Sequence, residues 1–268
     1  MIPQAFEYHV PKTVEEASRL AAEFGADGKV LAGGHSLIPM MKLRLAAPKH
    51  LIDIGRIGDL SYIRPLDNGG GKIEIGALTT HYQIESSEML KARCPLMPEA
   101  AHEIGDAQVR NKGTLGGSLA HNDPAADWPA VILALGGEIH AVSARGGRWI
   151  PAGNFFVDLL TTALEPDEIL TAVRVEALSG APSDARIGQA YVKLHQPASG
   201  FAIVGVAARV VLDERGSVSE VAVGVTGVGP TAYRAAGVES ALRGKQPTAK
   251  RLEDASAHAA DGVQANAD

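Results

Sequence analysis

The apolar residues of this chain change their period along its length, and that change restricts the fold more than any other feature. Val14, Ala17, Leu20, Ala21 and Phe24 recur at helical spacing. Thr13 stands before them as an N-cap, Glu16 completes a capping box, and Gly25 supplies a stop. Residues 29–32 form a short apolar strand, residues 37–45 a helical stretch ended by Pro48, and residues 51–54 a second strand. This first segment reads as a small α/β unit. Beyond it, residues 72–76 alternate as a strand does, and residues 80–90 and 98–104 read as helices. Asp123-Pro124 reads as an N-cap with proline at the first helical position of an apolar helix over 125–135. Residues 138–142 and 148–150 flank Ala144-Arg145-Gly146-Gly147 as a hairpin, and residues 168–175 form a further strand. Ser179-Gly180-Ala181-Pro182-Ser183 has linker composition within residues 176–188. Strands at 190–194, 201–212 and 218–228 follow, then helical stretches at 234–242 and 250–259. No internal repeat is visible. The expected class is α+β in three parts, residues 1–56, 57–177 and 186–268.

Hydrophobic residues make up 46% of the 268, enough for a real core, and Lys plus Arg (25) against Asp plus Glu (31) leaves a net charge of −6. A mildly acidic chain without a basic run is a poor nucleic-acid binder, so no nucleic-acid partner is expected. No apolar run approaches the ~20 residues that cross a bilayer. The first residues lack the charged and apolar regions of a signal peptide. A cytoplasmic location follows as the expectation, with partners able to hold the chain at the inner face of the membrane. Cys94 is the single cysteine, which excludes an internal disulfide. An iron–sulfur cluster needs about four thiolates, so this chain alone cannot hold one. His102, His121 and His140 show no convergent partners, and no Ser-His-Asp spacing stands out. No metal ligand and no catalytic residue is assigned.

Glycine is enriched, at 30 of 268 residues or about 11% against a usual ~7%. Part of the excess sits in two loops. In the first, Leu31-Ala32-Gly33-Gly34-His35-Ser36-Leu37-Ile38, a strand ends, two glycines turn and a helix begins. Backbone amides at such a turn can hold a pyrophosphate, and a Cβ would block the approach. The second, Gln108 to His121, carries Thr114-Leu115-Gly116-Gly117-Ser118 with the same small and hydroxyl character. Neither is the Rossmann G-x-G-x-x-G, and each alone is more commonly a structural turn. Together they suggest a dinucleotide held from two sides. Asp127, on the helix after the second loop, has a carboxylate suited to a ribose or adenine group or to the helix N-terminus. Lys42 and Arg44 read as solvated, ion-paired or in contact with phosphate, and Met40 and Met41 as packing groups.

These residues resemble a known family. Ala32-Gly33-Gly34-His35-Ser36 with Pro39-Met40-Met41-Lys42, and Val109-Arg110-Asn111 with Thr114-Leu115-Gly116-Gly117 and Asp123-Pro124-Ala125-Ala126-Asp127, are similar to the FAD-binding subunits of the xanthine dehydrogenase and aerobic carbon monoxide dehydrogenase family. The likeness continues in Gly76-Ala77-Leu78-Thr79-Thr80-His81, in Tyr191-Val192-Lys193 with Ala198-Ser199-Gly200-Phe201-Ala202, and in Thr226-Gly227-Val228-Gly229-Pro230-Thr231. It covers nearly the whole chain in order and is nearest to the separate medium subunit.

The resemblance implies two α/β subdomains of PCMH/VAO type clasping FAD, then a C-terminal domain of a three-stranded antiparallel sheet with helices. It implies that Ala32 to Ser36 and Thr114 to Ser118 hold the pyrophosphate, with Leu31, Leu37 and Ile38 flanking, that Asp127 binds the adenosine side, and that Ile104 and Leu170 line the flavin pocket. Tyr191 and Lys193 would lie beside the isoalloxazine, although a bare alternating strand would put its apolar side in and the charge out. A tyrosine could cover a ring face, and a cation could stabilise charge on the reduced flavin. The implied partners are a large molybdenum-cofactor subunit and a small subunit with 2Fe–2S clusters, in a dimer of heterotrimers, with quinone, NAD or dioxygen as acceptor. His195-Gln196 stands where the family often has a basic pair, and family chains usually run on past Asp268. Two other readings compete. One is a free-standing flavin oxidase or reductase of the same fold, with FAD attached to a histidine such as His35. The other is a scaffold subunit with a vestigial site.

Overall fold

The computed structural model describes residues 2–66, 71–178 and 186–265. The Ser179–Ser183 stretch read as a linker lies outside the described residues.

The N-terminal unit is a parallel sheet in the order β1 (Glu7–His9), β3 (His50–Asp53), β2 (Gly28–Leu31), covered by α1 (Val14–Phe24). The three-residue β1 was not visible in the sequence. Thr13 caps α1 by accepting the Glu16 amide at 3.1 Å. The Glu16 carboxylate reaches back to the Lys12 amide at 2.8 Å, so the reciprocal arm of the capping box lands one residue early. Ala17 and Ala21 on α1 pack with Ile52 and Ile54. A short helix, α2 (Leu37–Leu43), leaves β2 through the first glycine turn.

The middle unit is built on a five-stranded antiparallel sheet, β4 (Ile63–Leu66), β5 (Lys72–Gly76), β10 (Ile169–Glu176), β6 (Glu138–Ser143) and β7 (Gly146–Pro151), in that order. The expected hairpin is the β6–β7 pair, and β8 (Phe156–Asp158) and β9 (Thr161–Thr162) follow it as a separate two-stranded antiparallel ribbon. One helix was expected over 80–90. The chain instead makes α3 (His81–Ser86) and α4 (Glu88–Arg93), because Ser87 turns extended (ψ 110°) and accepts the Leu90 amide as a new N-cap. Next come α5 (Leu96–His102), α6 (Ala107–Arg110), α7 (Leu115–His121) and α8 (Asp127–Ala134). The expected start of α8 at Ala125 is corrected by two residues. The Asp123 carboxylate accepts the Ala125 amide at 2.8 Å in a local turn, and Ala126 is extended (ψ 141°). Every residue of α8 is buried, and Trp128 and Ile132 are among the largest fully buried side chains.

The N-terminal unit docks on this sheet through Ser18, which is fully buried on α1. Its hydroxyl donates to the Asp167 carbonyl at 2.8 Å and accepts the Ala144 amide at 3.1 Å.

The C-terminal sheet has the order β11 (Arg186–His195), β12 (Ala202–Leu212), β13 (Val218–Thr226), β14 (Tyr233–Arg234), with α9 (Ala236–Leu242) and α10 (Ala249–Ser256) behind it. The two-residue β14 is a fourth strand beyond the three expected. This sheet lies on α8. A Cβ on Gly224 would stand 2.0 Å from the Ala130 carbonyl oxygen, and the Thr226 hydroxyl lies 2.8 Å from the Pro124 and Ala126 carbonyls.

Candidate functional site

The turn after β2 and the turn before α7 meet. A Cβ on Gly33 would lie 2.0 Å from the Lys112 carbonyl oxygen, so only glycine lets the two backbones touch. Gly34 adopts φ +78°, a left-handed conformation that glycine takes without strain. His35 Nε2 lies 3.2 Å from the Gln108 carbonyl and adds a side-chain link between the same segments.

These turns wall a cleft of about 640 Å³. Ala32, Gly33, Gly34, His35 and Ile38 line one side and Thr114 the other. Sequence reasoning placed all six in the site. It did not single out Asp53, Arg56, Thr80 or Lys112, which also line it. Arg56 follows the end of β3, and only the sheet order brings it beside β2. Lys42, Arg56 and Lys112 form no ion pair among the described residues. Asp53 is occupied, accepting from the Tyr8 hydroxyl and the Gly55 amide.

The two turns present their backbones differently. Among the described residues, the amides of Gly33, Gly34, His35 and Ser36 have no hydrogen-bond acceptor, and the Ser36 side chain makes no capping bond. The small and hydroxyl residues of the second glycine stretch predict a loop with outward amides. The stretch is instead the first turn of α7, with Thr114 as N-cap. Leu115 donates to the Thr79 carbonyl at 3.0 Å, Gly116 to Ala77 at 2.9 Å, and Gly117 to the Thr114 hydroxyl at 3.1 Å. Those amides are therefore engaged, and Gly116 is glycine because Ala77 presses on it, 2.6 Å from where a Cβ would stand. Leu115 is fully buried and Ser118 half-buried. Leu31 packs in a small cluster with Met41 and Leu51, against which Leu37 rests. Leu170 belongs to the main core, and Ile104 is half-buried against it.

His81 supports the second turn from below. Its backbone amide donates to the Gly113 carbonyl at 3.0 Å, and its ring leaves no room for a Cβ on Gly113. The Trp128 indole donates to His81 Nδ1 at 3.0 Å. Burial pushes the imidazole down to about 3, so it is neutral and Nδ1 stays an acceptor.

A second cluster sits where the C-terminal sheet covers the start of α8. Expectation separated Asp127, on the adenosine side, from Tyr191 and Lys193, beside the ring. The structure joins them. The Tyr191 hydroxyl donates to Asp127 Oδ1 at 2.5 Å, and Lys193 Nζ lies 3.0 Å from Asp127 Oδ1 and 2.9 Å from the Glu103 carbonyl. The alternation of β11 is inverted relative to a bare amphipathic strand. The Lys193 side chain is 1% exposed, while Val192 is 70% and Leu194 61% exposed. Burial raises the Asp127 carboxyl, against the pull of Lys193 and Tyr191. Burial and the neighbouring carboxylate raise the Tyr191 phenol, which therefore remains a donor. Gly205, opposite Lys193 on β12, leaves room for this arrangement, since its Cβ would stand 2.3 Å from the Tyr191 hydroxyl oxygen. Of the departures from the family pattern, His195 lies 2.7 Å from the Glu103 carboxylate. Gln196 folds the following turn by accepting the Ser199 amide at 2.9 Å.

Bare amides at a glycine turn, a close approach that a Cβ would forbid and unpaired cations are the donor set a pyrophosphate requires, so the cleft fits the diphosphate of a dinucleotide.

Comparison with known proteins agrees. Residues 4–176 match the family described as the FAD binding domain in molybdopterin dehydrogenase, and residues 189–268 match the CO dehydrogenase flavoprotein C-terminal domain. The chain is 44% identical over 256 residues to the carbon monoxide dehydrogenase medium chain of Hydrogenophaga pseudoflava, covering 95% of this chain and 86% of that one. It is 36% identical over 246 residues to the glyceraldehyde dehydrogenase medium chain of Sulfolobus acidocaldarius, covering 92% and 84%. The solved structure of the Hydrogenophaga pseudoflava carbon monoxide dehydrogenase that lacks the Mo-pyranopterin moiety superposes with a TM-score of 0.93 at 42% identity, over all of this chain and 90% of that one. This chain belongs to the FAD-binding medium subunits of the molybdenum hydroxylases, a family of oxidoreductases.

Proposed function

We propose that this chain carries FAD as the electron-transfer subunit of a heteromeric molybdenum hydroxylase, taking electrons from an iron–sulfur subunit and passing them to an external acceptor. The observation that carries the reading is the meeting of Gly33 with Lys112, which sets the free amides of residues 33–36 opposite Thr114 and beside Lys42, Arg56 and Lys112. In this reading Ala32 to Ser36 and Thr114 hold the pyrophosphate, with Leu31, Leu37, Ile38, Leu115, Gly116, Gly117 and Ser118 shaping the backbone behind them. Ile104 and Leu170 support the flavin pocket from the core. Asp127, Tyr191 and Lys193 act as one hydrogen-bonded unit at its far end. FAD supplies the exchange between two-electron and one-electron chemistry. The chain's own task is to bind it, orient it and set the charge around it. A lysine ammonium held by Asp127 and a phenol kept protonated are suited to moderating charge at the ring.

Partners follow from two features. Cys94 is the only cysteine and is fully buried, so the 2Fe–2S clusters belong to a small subunit and the molybdenum cofactor to a large one. The inverted strand β11 leaves Val192 and Leu194 exposed, opposite Val206 and Val204 of β12, an apolar surface suited to a subunit contact. A dimer of heterotrimers and a quinone, NAD or dioxygen acceptor complete the proposal. Among the described residues no helix is long and apolar enough to cross a membrane. We assign residues 1–56, 57–177 and 186–268 as the corresponding units, a division supported by the separate sheets that their described residues form.

The test is an absorption spectrum of the purified chain before and after acid precipitation. Yellow protein that releases its flavin to the supernatant, and copurifies with one larger and one smaller partner, is the expected result. Flavin retained in the pellet would point to a covalent bond at a residue such as His35 and favour a free-standing oxidase. Protein that takes up no FAD with partners present would leave only a scaffold.

A further inference from the structure

The N-terminal sheet brings three metal-binding side chains to one point, away from the glycine turns. Parallel pairing of β1 with β3 sets Glu7 opposite His50 and His9 two residues further along the same face of β1. The ligand atoms converge: His9 Nε2 is 3.2 Å from His50 Nδ1, Glu7 Oε2 is 3.4 Å from His50 Nδ1, and 3.9 Å from His9 Nε2. A tetrahedral zinc ion with metal–nitrogen bonds of about 2.0–2.1 Å holds its ligands about 3.3 Å apart. The first two separations match that edge. The third is wider by a margin that a rotation of Glu7 closes, since its side chain is 73% exposed. The histidines are preorganised: Phe24 stacks on the His50 ring at 3.8 Å and 9°, and lies 4.8 Å from the His9 ring. Among the described residues this is the one group of three or more potential ligands whose donor atoms converge.

We infer that Glu7, His9 and His50 form a site for a single transition-metal dication of the zinc class. Two imidazoles and one carboxylate suit zinc, nickel or copper and disfavour magnesium and calcium, which prefer all-oxygen shells. The exposed Glu7 side chain lets solvent reach the cluster, so water can supply a fourth ligand. Bound metal would clamp β1, a three-residue edge strand, to the central strand β3, and would stabilise the folded chain because the unfolded chain has no such convergence.

The test uses the full chain, saturated with FAD and stripped with chelator. Zinc chloride is titrated by calorimetry, and cobalt(II) is followed by its visible absorption as a difference spectrum. One equivalent is expected to bind, with a tetrahedral cobalt band and a rise in the melting temperature. His9→Ala and His50→Ala should each lose both the stoichiometric binding and the zinc-dependent rise in melting temperature. Glu7→Gln changes an exposed side chain and leaves the fold intact. It should weaken binding by at least the ~10–100-fold that loss of an outer-shell partner costs. Parent protein that binds no more zinc than His50→Ala would reduce the cluster to a histidine–histidine hydrogen bond and overturn the site. One equivalent retained in both histidine variants would place the metal elsewhere and overturn it equally.

Discussion

At the scale of single residues, the site depends on atoms that are missing. Gly33 has no room for a methyl group against Lys112, so Gly33→Ala must push the two turns apart. FAD affinity of the purified chain, read by flavin fluorescence quenching, should fall more than ~10-fold, a change worth about 1.4 kcal/mol or more. Unchanged affinity would mean that the touching turns are not the cofactor's cradle. His81 makes a pH prediction. Its folded-state value lies at about 3 against an ordinary 6.5, because burial disfavours the charged ring. The unfolded chain takes up a proton below pH 6.5 that the folded chain refuses. Stability is therefore complete above pH 6.5 and declines as pH falls towards 3, with a slope approaching ~1.4 kcal/mol per pH unit from this group. Urea unfolding followed by tryptophan fluorescence at pH 7, 6 and 5 should show this decline, and His81→Gln should flatten it. An equal slope in the variant would assign the dependence to other groups. The sequence displayed these glycines and His81 within recognisable motifs. It could not show which amides were free, because that depends on Ala77 and Thr79, which are brought beside the turn only by the fold.

The elements show the same division. The helix α1, the strand β5 and the hairpin of β6 and β7 were legible because capping, alternation and turn chemistry are local. The second glycine stretch is helical against its local pattern: helix propensity argues against two glycines in a first turn, and packing against Ala77 reverses that preference. Strand β11 was harder still, since its pattern puts charge inside. That inversion yields a prediction. Lys193→Met leaves Asp127 buried without its cation, which should cost ~3–5 kcal/mol in chemical denaturation. Adding Asp127→Leu removes the stranded charge and should recover part of that loss. A double variant as unstable as the sum of the two single changes would show that the pair is not coupled.

At the scale of the whole molecule, the units are joined by a few buried polar contacts. Ser18 serves both the Asp167 carbonyl and the Ala144 amide across the first junction. Ser18→Ala should lower the unfolding free energy by ~1–3 kcal/mol, as expected when buried polar groups lose a partner. A change within a few tenths would mean that water replaces the hydroxyl. These contacts join residues far apart in the chain, so neither junction could be read from local pattern. The Glu7, His9 and His50 cluster was invisible for the same reason. The order of the parallel sheet, rather than any spacing, brings β1 beside β3. Family resemblance supplied what local pattern lacked: the cofactor, the general location of its site and the need for partners.

The contact between Gly33 and Lys112 also has a consequence in time. One wall of the cleft leaves the ribosome with the N-terminal sheet, while the other is still untranslated and, once made, takes shape only when α7 packs beneath Ala77 and Thr79. The nascent N-terminal sheet offers half a site. With FAD held in the proposed cradle, its uptake becomes a late step in maturation, and a yellow chain is one whose first two units have already found each other.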